Sequence, residues 1–393
     1  MAKKIALIVE RANIALGGAE RCVFELAEDL SRRGLQVDIL AAKGRSNAGK
    51  VRILCDHLPG ERVNCHTFAR ALRKHLAQNS YDIVHSVLPF DFAHVYQPHG
   101  GTYAETIVRN AASYQNRFIE YYKRLTAFAN LRRAALLRAE RRLCGNPAGP
   151  VIVCISQYVA RQFRQHYGLD EERIRIVPNG VKIEQKANAQ EAARLHKQIF
   201  AGLKLKETAR PVLLLFAANN FRLKGLSPLI RAMGLAAQNN GGFDSYLVVA
   251  GRDRPRRYQG LARRFHIEKR IVFLGNVRHI QDILSIVDVA VLPTFYDPSS
   301  RFAIEALATA KPVITTRHNG ATDLFVDGRH GRVINSATDA AALAEAIEHF
   351  ADVENIRKAS EAILADKLED KVSIERVVRQ LCSIYDSILD KRK

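Results

Sequence analysis

The strongest constraint on what this chain can fold into is a series of short, mostly apolar runs separated by amphipathic stretches of helical period. Ile5-Ala-Leu-Ile-Val, Val37-Asp-Ile-Leu-Ala, Val51-Arg-Ile-Leu, Asp82-Ile-Val-His, Val151-Ile-Val-Cys-Ile and Arg173-Ile-Arg-Ile-Val form a first set. Helical patterns run from Gly18 to Arg33 and from Glu61 to Gln78. A strand that is apolar on both faces needs cover on both, and helices crossing between successive parallel strands provide it. The pattern restarts at Val212-Leu-Leu-Leu-Phe and continues through Tyr246-Leu-Val-Val-Ala, Ile271-Val-Phe-Leu, Asp288-Val-Ala-Val-Leu and Val313-Ile-Thr. Between the two sets lie the turn Pro178-Asn-Gly and a charged helical stretch from Val181 to Arg210. The expected fold is α/β, with two Rossmann-like domains of parallel sheet facing a cleft, over residues 1–182 and 183–370. A chain of 393 residues is comfortable for two domains.

Composition narrows the function classes. Hydrophobic content of 47% with 25% charged residues is that of a soluble protein with a sizeable core. No apolar run reaches the roughly 18 residues that a membrane-spanning helix needs. The opening Met-Ala-Lys-Lys-Ile-Ala-Leu-Ile-Val-Glu has a signal peptide's basic flank, but its apolar part ends at Glu10, so a cytosolic protein is expected. Cys22, Cys55, Cys65, Cys144, Cys154 and Cys382 are scattered without a Cys-x-x-Cys pair, which argues for reduced thiols. The 13 histidines show no metal-ligand spacing, and no Asp-x-Asp occurs to hold a diphosphate through a divalent metal. The net charge of +20 implies an anionic partner: nucleic acid, an anionic membrane surface or a phosphorylated glycolipid.

The segment richest in chemistry is Asp297-Pro-Ser-Ser-Arg-Phe-Ala-Ile-Glu305, which follows the apolar Val289-Ala-Val-Leu-Pro-Thr. Strand, polar loop, short helix and strand is the expected order. A helix starting near Ser300 would aim its unpaired N–H groups and its dipole at the loop, which favours an anion there. Read without function, Asp297 is a turn residue before proline and Glu305 a solvated helix position. Asn219-Asn-Phe-Arg-Leu-Lys-Gly-Leu also joins an apolar strand to a helix, and Arg222, Lys224 and Gly225 combine fixed positive charge with free backbone, as a phosphate site requires. Gly17-Gly18-Ala-Glu-Arg follows the first strand. No Gly-x-Gly-x-x-Gly pattern is present, and Ala41-Ala-Lys rather than an acidic residue ends the second strand, so a nicotinamide cofactor is not supported. Pro98-His99-Gly100-Gly101 closes another strand, whereas His85 and His94 read as strand packing residues.

These segments together resemble the retaining family 4 glycosyltransferases with the GT-B fold, and among them the lipopolysaccharide-core glucosyltransferases. Asp297 to Glu305 is similar to the family's Glu-x7-Glu signature. Phe273-Leu-Gly-Asn-Val-Arg, Ile286-Val-Asp-Val-Ala-Val-Leu-Pro and Lys311-Pro-Val-Ile-Thr-Thr follow in the family's order. The likeness is good from Pro211 to Val333 and thinner in the first half. It departs from the pattern at Asp297, shorter than the usual Glu, at Ser300, where the family has Gly, and at Asn219, where it has Arg. Arg222 is taken to replace that arginine.

The resemblance implies a UDP-sugar donor bound mainly by the second domain. Glu305 would hold the ribose hydroxyls, while Arg222, Lys224 and the N–H groups of Ser300, Arg301 and Phe302 would neutralise the diphosphate. Gly17, Gly18 and Val277 are the remaining donor-binding residues it implies. Asp297, His99 and Lys224 are the catalytic candidates, Asp297 orienting the sugar hydroxyls and His99 lying against the transferred sugar. The first domain would bind a membrane glycolipid acceptor, with residues 371–393 packing back on it. The implied reaction moves glucose from UDP-glucose to the lipopolysaccharide inner core, with no cofactor and no metal.

From Tyr103 to Arg142 there is neither Gly nor Pro, so one long helix or a helical pair is allowed. Nine basic residues (Arg109, Arg117, Lys123, Arg124, Arg132, Arg133, Arg138, Arg141, Arg142) stand against Glu105, Glu120 and Glu140, a local +6. Tyr114, Phe118, Tyr121, Tyr122 and Phe128 interleave with them, a pattern suited to the headgroups of an anionic bilayer, which the resemblance implies to be the inner face of the cytoplasmic membrane. A solvated face on a core helix is the plain alternative. Rival functions are another donor and acceptor, a nucleotide-sugar epimerase of the same fold, and a basic nucleic-acid-binding protein, for which no binding motif is found.

Overall fold

The computed structural model describes residues 2–14, 17–44, 50–56, 60, 62–182, 187–239 and 244–392. The chain divides into two compact units, one of residues 1–111, 118–180 and 374–393, the other of residues 112–117 and 181–373. The first contains strands β1 (Lys4–Ala12), β2 (Gln36–Gly44), β3 (Val51–Ile53), β4 (Ile83–Ser86), β5 (Val95–Tyr96), β6 (Val151–Cys154) and β7 (Ile174–Ile176). They pair in parallel in the order β3-β2-β1-β4-β5-β6-β7. Side chains alternate across β1, so both of its faces are covered. Ile5, Leu7 and Val9 pack with Val23, Leu26 and Leu30 of the helix Gly18–Arg32 and with Val378, Leu381 and Tyr385 of the helix Ile374–Asp390. Ala6 and Ile8 face Phe68 and Leu72 of the helix Cys65–Gln78.

The second unit repeats the plan with β8 (Val212–Ala217), β9 (Ser245–Ala250), β10 (Ile271–Gly275), β11 (Val289–Leu292), β12 (Val313–Thr316) and β13 (Gly331–Ile334). Its parallel order is β10-β9-β8-β11-β12-β13. Both sheets start in the middle, grow to one edge and then to the other. The strand order therefore reverses between β1 and β4, and again between β8 and β11. In open α/β sheets ligands bind beyond the carboxyl ends of strands at such a reversal.

Two expected elements differ in detail. The helix expected from Glu61 begins at Cys65, because Asn64 Oδ1 accepts the His66 N–H at 2.9 Å and caps it there; Glu61 itself lies outside the described residues. The Tyr103–Arg142 segment is three helices, Tyr103–Ala112, Arg117–Leu125 and Leu131–Gly145, with a single 3-10 turn at Thr126–Ala129. The first break follows from Gln115, which takes a left-handed φ of 56°. The second follows from Asn130, whose side chain accepts the Arg133 N–H at 3.0 Å and starts a new helix.

The three pieces have different surroundings. Helix Leu131–Gly145 buries Leu136, Leu137 and Leu143. Its Glu140 is fully buried rather than a solvent-facing counter-charge. The Glu140 carboxyl accepts from Tyr96 Oη at 2.8 Å, Tyr167 Oη at 2.5 Å and the Tyr103 N–H at 2.8 Å. Burial nevertheless pushes its pKa up to about 7. Helix Arg117–Leu125 instead buries no residue at all.

Candidate functional site

The loops leaving β8 and β11 carry most of the expected donor residues, and the sequence pins them together at the strand-order reversal. Leu223 O accepts the Phe295 N–H at 2.9 Å and the Thr294 hydroxyl at 3.2 Å, which fastens the β8 loop to the exit of β11. Gly225 then turns with φ 85° directly against the Pro293 carbonyl. This places Lys224 over the second loop: its Nζ donates to Asp297 Oδ2 at 2.6 Å and to Tyr296 O at 3.1 Å. An ammonium has three hydrogens, so this arrangement engages two of them. The paired side chains are largely shielded from water, which strengthens the interaction relative to a surface pair.

Asp297 is both the turn residue of the plain reading and a partner of Lys224. Its Oδ1 accepts the Ser299 N–H at 3.3 Å. Its backbone bridges in parallel to Asn319, with its N–H on His318 O and its carbonyl accepting from Gly320 N–H, each at 2.9 Å. Ser300 caps the helix Arg301–Ala308, its Oγ accepting from the Ala303 N–H at 3.3 Å. The Ser300 N–H, expected to face a diphosphate, donates instead to Asn319 Oδ1 at 3.1 Å. That corrects the expectation for this one group, because a side-chain acceptor from the next loop fills the place. Arg301 and Phe302 occupy the first two helical positions, where no intrahelical acceptor exists. One turn on, Glu305 is buried and accepts from Arg301 Nε at 2.8 Å.

Arg222 stands in the same loop as Lys224, with its guanidinium 3.9 Å from the Tyr114 ring centroid and a hydrogen bond to Ser113 Oγ. Tyr114 belongs to the short stretch 112–117 of the second unit. Stacking occupies the face of a guanidinium and not its edge, from which Nη1 of Arg222 donates to Ser113 Oγ. Val277 lies in the loop after β10, half-buried against the core of this unit.

In the first unit, Gly17 immediately precedes the helix Gly18–Arg32 with an extended backbone, φ 168°, that any residue adopts. A Cβ there would lie 3.5 Å from Glu20 Oε2, an ordinary contact. Its tolerance of a ligand therefore rests on the missing side chain and not on backbone strain. His99 follows β5 and faces Gln97 Oε1 through Nε2 at 3.3 Å. Burial pushes its pKa down to about 4, so the ring is neutral at pH 7. His85 is buried behind it on β4, with Nδ1 2.6 Å from Tyr385 Oη.

Asn319 was missed. It is fully buried, its Oδ1 accepts from Ser300 N–H and Ala321 N–H at 3.1 Å each, and its Nδ2 donates to Thr315 Oγ1 at 3.0 Å. It joins the end of β12 to the Asp297 loop. The Asn319-Gly320 pair was the available signal, since such a pair marks a turn.

The first half matches the family described as Glycosyltransferase Family 4 over residues 16–185, and the second matches Glycosyl transferases group 1 over residues 210–352. The lipopolysaccharide glucosyltransferase WaaG of Escherichia coli is 22% identical over 327 residues, covering 81% of this chain and 82% of that protein. A crystal structure of WaaG shares the fold with a TM-score of 0.74 at 19% identity, over 97% of this chain and 99% of that one. A D-inositol 3-phosphate glycosyltransferase of Nocardiopsis dassonvillei is 23% identical, over 94% of this chain and 89% of that protein. Anabaena HepE, solved in complex with UDP-glucose, gives a TM-score of 0.74 at 17% identity, over 98% of this chain and 99% of that one.

Proposed function

Because the chain belongs to the GT-B glycosyltransferases, with a family 4 domain followed by a group 1 domain, we propose that it is a retaining hexosyltransferase moving glucose from UDP-glucose to a membrane glycolipid of the lipopolysaccharide inner core. The observation that carries this reading is the meeting of Lys224, Asp297 and the start of helix Arg301–Ala308 where β8 and β11 part. Lys224, Arg222 and the N–H groups of Arg301 and Phe302 neutralise the diphosphate. Glu305 accepts from the ribose hydroxyls, and Asp297 orients the sugar, as does the neutral His99. Gly17, Gly18 and Val277 add donor contacts. The bond from the anomeric carbon to the phosphate oxygen breaks, and the acceptor oxygen bonds to the same face of the sugar. The acceptor's proton passes to the leaving phosphate, so no protein nucleophile is required. Charge grows on that phosphate as the bond breaks, which makes its fixed positive surroundings the main catalytic term.

Calorimetric titration with UDP, GDP and ADP sugars tests the donor. UDP-glucose is expected to bind, and Glu305→Ala to weaken it roughly tenfold or more, because hydrogen bonds to a charged acceptor are worth about 1.5–3 kcal/mol. A folded Glu305→Ala protein with unchanged affinity removes Glu305 from the site. Selective binding of a GDP or ADP sugar overturns the choice of base.

The acceptor side of this reading rests on helix Arg117–Leu125. Phe118, Tyr121 and Tyr122 are 87%, 66% and 60% exposed, beside Lys123 and Arg124. Exposed aromatic and basic residues on one short helix suit the headgroup layer of an anionic bilayer. Among the described residues no helix is long and apolar enough to cross a membrane. The protein is therefore read as peripheral, working at the inner face of the cytoplasmic membrane. Binding to anionic vesicles should weaken with salt and be lost when Lys123, Arg124, Arg132 and Arg133 become Gln. Arg124 and Arg132 contribute least to that loss, because they are already tied to Glu120 and Glu10. Equal pelleting with neutral and anionic lipid, or none with either, ends the membrane reading.

A further inference from the structure

We infer that the second unit carries its own docking surface for an anionic phospholipid bilayer, an arginine stripe on the helix Arg256–Arg264. The inference rests on the proposed membrane acceptor and extends it to a surface which that reading did not include. From Arg252 to Arg270 eight basic residues stand against Asp253 and Glu268, a local +6. Arg256, Arg257, Arg263 and Arg264 are all exposed, and the helix contains no acidic residue. Residues seven apart differ by about 20° around a helix, so the two Arg-Arg pairs lie on one face, about 10 Å apart along the axis. Opposite them, Tyr258 and Ala262 are buried, and Tyr258 packs edge-on against Phe221 with ring centroids 5.5 Å apart. The buried residues fix which face the arginines present to solvent.

Two features set this face apart from an ordinary solvated one. Exposed arginines on several other helices are matched one turn away, as with Arg32 and Glu28, Arg194 and Glu191, and Arg357 with Glu354 and Glu361, whereas Arg138, Arg141 and Arg142 of helix Leu131–Gly145 are not matched among the described residues. None of the four arginines of the stripe has an ion-pair partner among the described residues. Arg256 and Arg257 also sit in the first turn, where the helix dipole disfavours cations. Four like charges gathered without counter-charge, two of them at the unfavourable helix end, favour an anion of matching extent. A charged bilayer supplies one, and its headgroups ask for no precise geometry. The stripe presents no exposed aromatic ring of the kind on which the bases of a single-stranded nucleic acid stack. The four arginines are not among the residues proposed to hold the donor, and the helix is anchored on Phe221, next to Arg222, by its opposite face.

Co-sedimentation of the full chain with phosphatidylcholine vesicles, with and without phosphatidylglycerol, tests the stripe. Each basic residue near such a surface is worth roughly fivefold in partitioning. Arg256→Gln, Arg257→Gln, Arg263→Gln and Arg264→Gln combined should lower affinity for anionic vesicles by about tenfold or more at low salt. Calorimetric affinity for UDP-glucose should be unchanged, which also reports that the variant is folded. Combining these changes with those on helix Arg117–Leu125 should weaken binding beyond either set alone. A folded stripe variant that pellets like wild type overturns the inference. So does a wild-type protein that prefers a polynucleotide to anionic vesicles at equal phosphate and loses that preference in the stripe variant. If no nucleotide sugar binds but the stripe variant still loses vesicle binding, the glycosyltransferase reading fails and the docking surface stands.

Discussion

Lys224→Ala is expected to lower turnover by roughly a hundred- to a thousandfold, the usual cost of removing a fixed group that meets charge developing in the transition state. The ammonium lies between Asp297 Oδ2 and Tyr296 O, so its position is set before any donor arrives. Pre-organisation of this kind favours the transition state over the ground state, and kcat should therefore fall more than donor affinity. Part of the loss could come from Asp297 left without its partner. A double-mutant cycle with Asp297→Asn separates the two effects: a small coupling energy assigns the loss to the diphosphate, a large one to Asp297. Arg222→Ala should also reduce turnover, and either basic substitution should cost more than Asp297→Asn costs in nucleotide affinity. Turnover retained within a factor of a few in both basic variants would place the diphosphate elsewhere.

Much of this architecture was legible because both sheets are built from strands buried on two faces, which leaves unbroken apolar runs such as Val212-Leu-Leu-Leu-Phe. One strand escaped that reading: β13 opens on a glycine after the Asp327-Gly328 turn and offers no run long enough to show a period. β5 is only Val95–Tyr96 and was marked by the Pro98-His99-Gly100-Gly101 that closes it, not by a period of its own. The split of the Tyr103–Arg142 segment was hidden for another reason. Gln115 takes the left-handed conformation usually given to glycine, and composition carries no trace of it. In the site, the loops were legible because each follows an apolar strand, whereas the pairings were not. Lys224 and Asp297 are 73 residues apart, and Asn319 reaches Ser300 across 19, distances over which one sequence holds no periodic signal. Arg301 and Glu305 differ, since their i,i+4 spacing on a helix is itself a pairing signal. Glu140 reads as a surface charge, and only the fold brings Tyr96, Tyr103 and Tyr167 around it.

The glycine beside Lys224 should prove the least replaceable residue of the loop. Gly225 combines a φ of 85° with a close approach to backbone, since an added Cβ would stand 1.9 Å from the Pro293 carbonyl oxygen. The conformation alone costs a side chain about 1–3 kcal/mol. The overlap cannot be relieved by a rotamer change, because the obstacle is main chain at the end of β11. Gly225→Ala must therefore push the Asn220–Leu226 turn away from Pro293, breaking the Leu223 O hydrogen bonds that hold Phe295 and Thr294. The expected loss is about 3–4 kcal/mol, or roughly 10 °C in Tm. Gly275 provides the control: its φ of 73° is comparable, and nothing lies within 4 Å of its added Cβ. Gly275→Ala should cost only the conformational part, about 1 kcal/mol. Thermal unfolding of the two variants in parallel isolates the overlap. Equal Tm shifts would mean that the loop accommodates a side chain at position 225, and that Lys224 is not held by this approach.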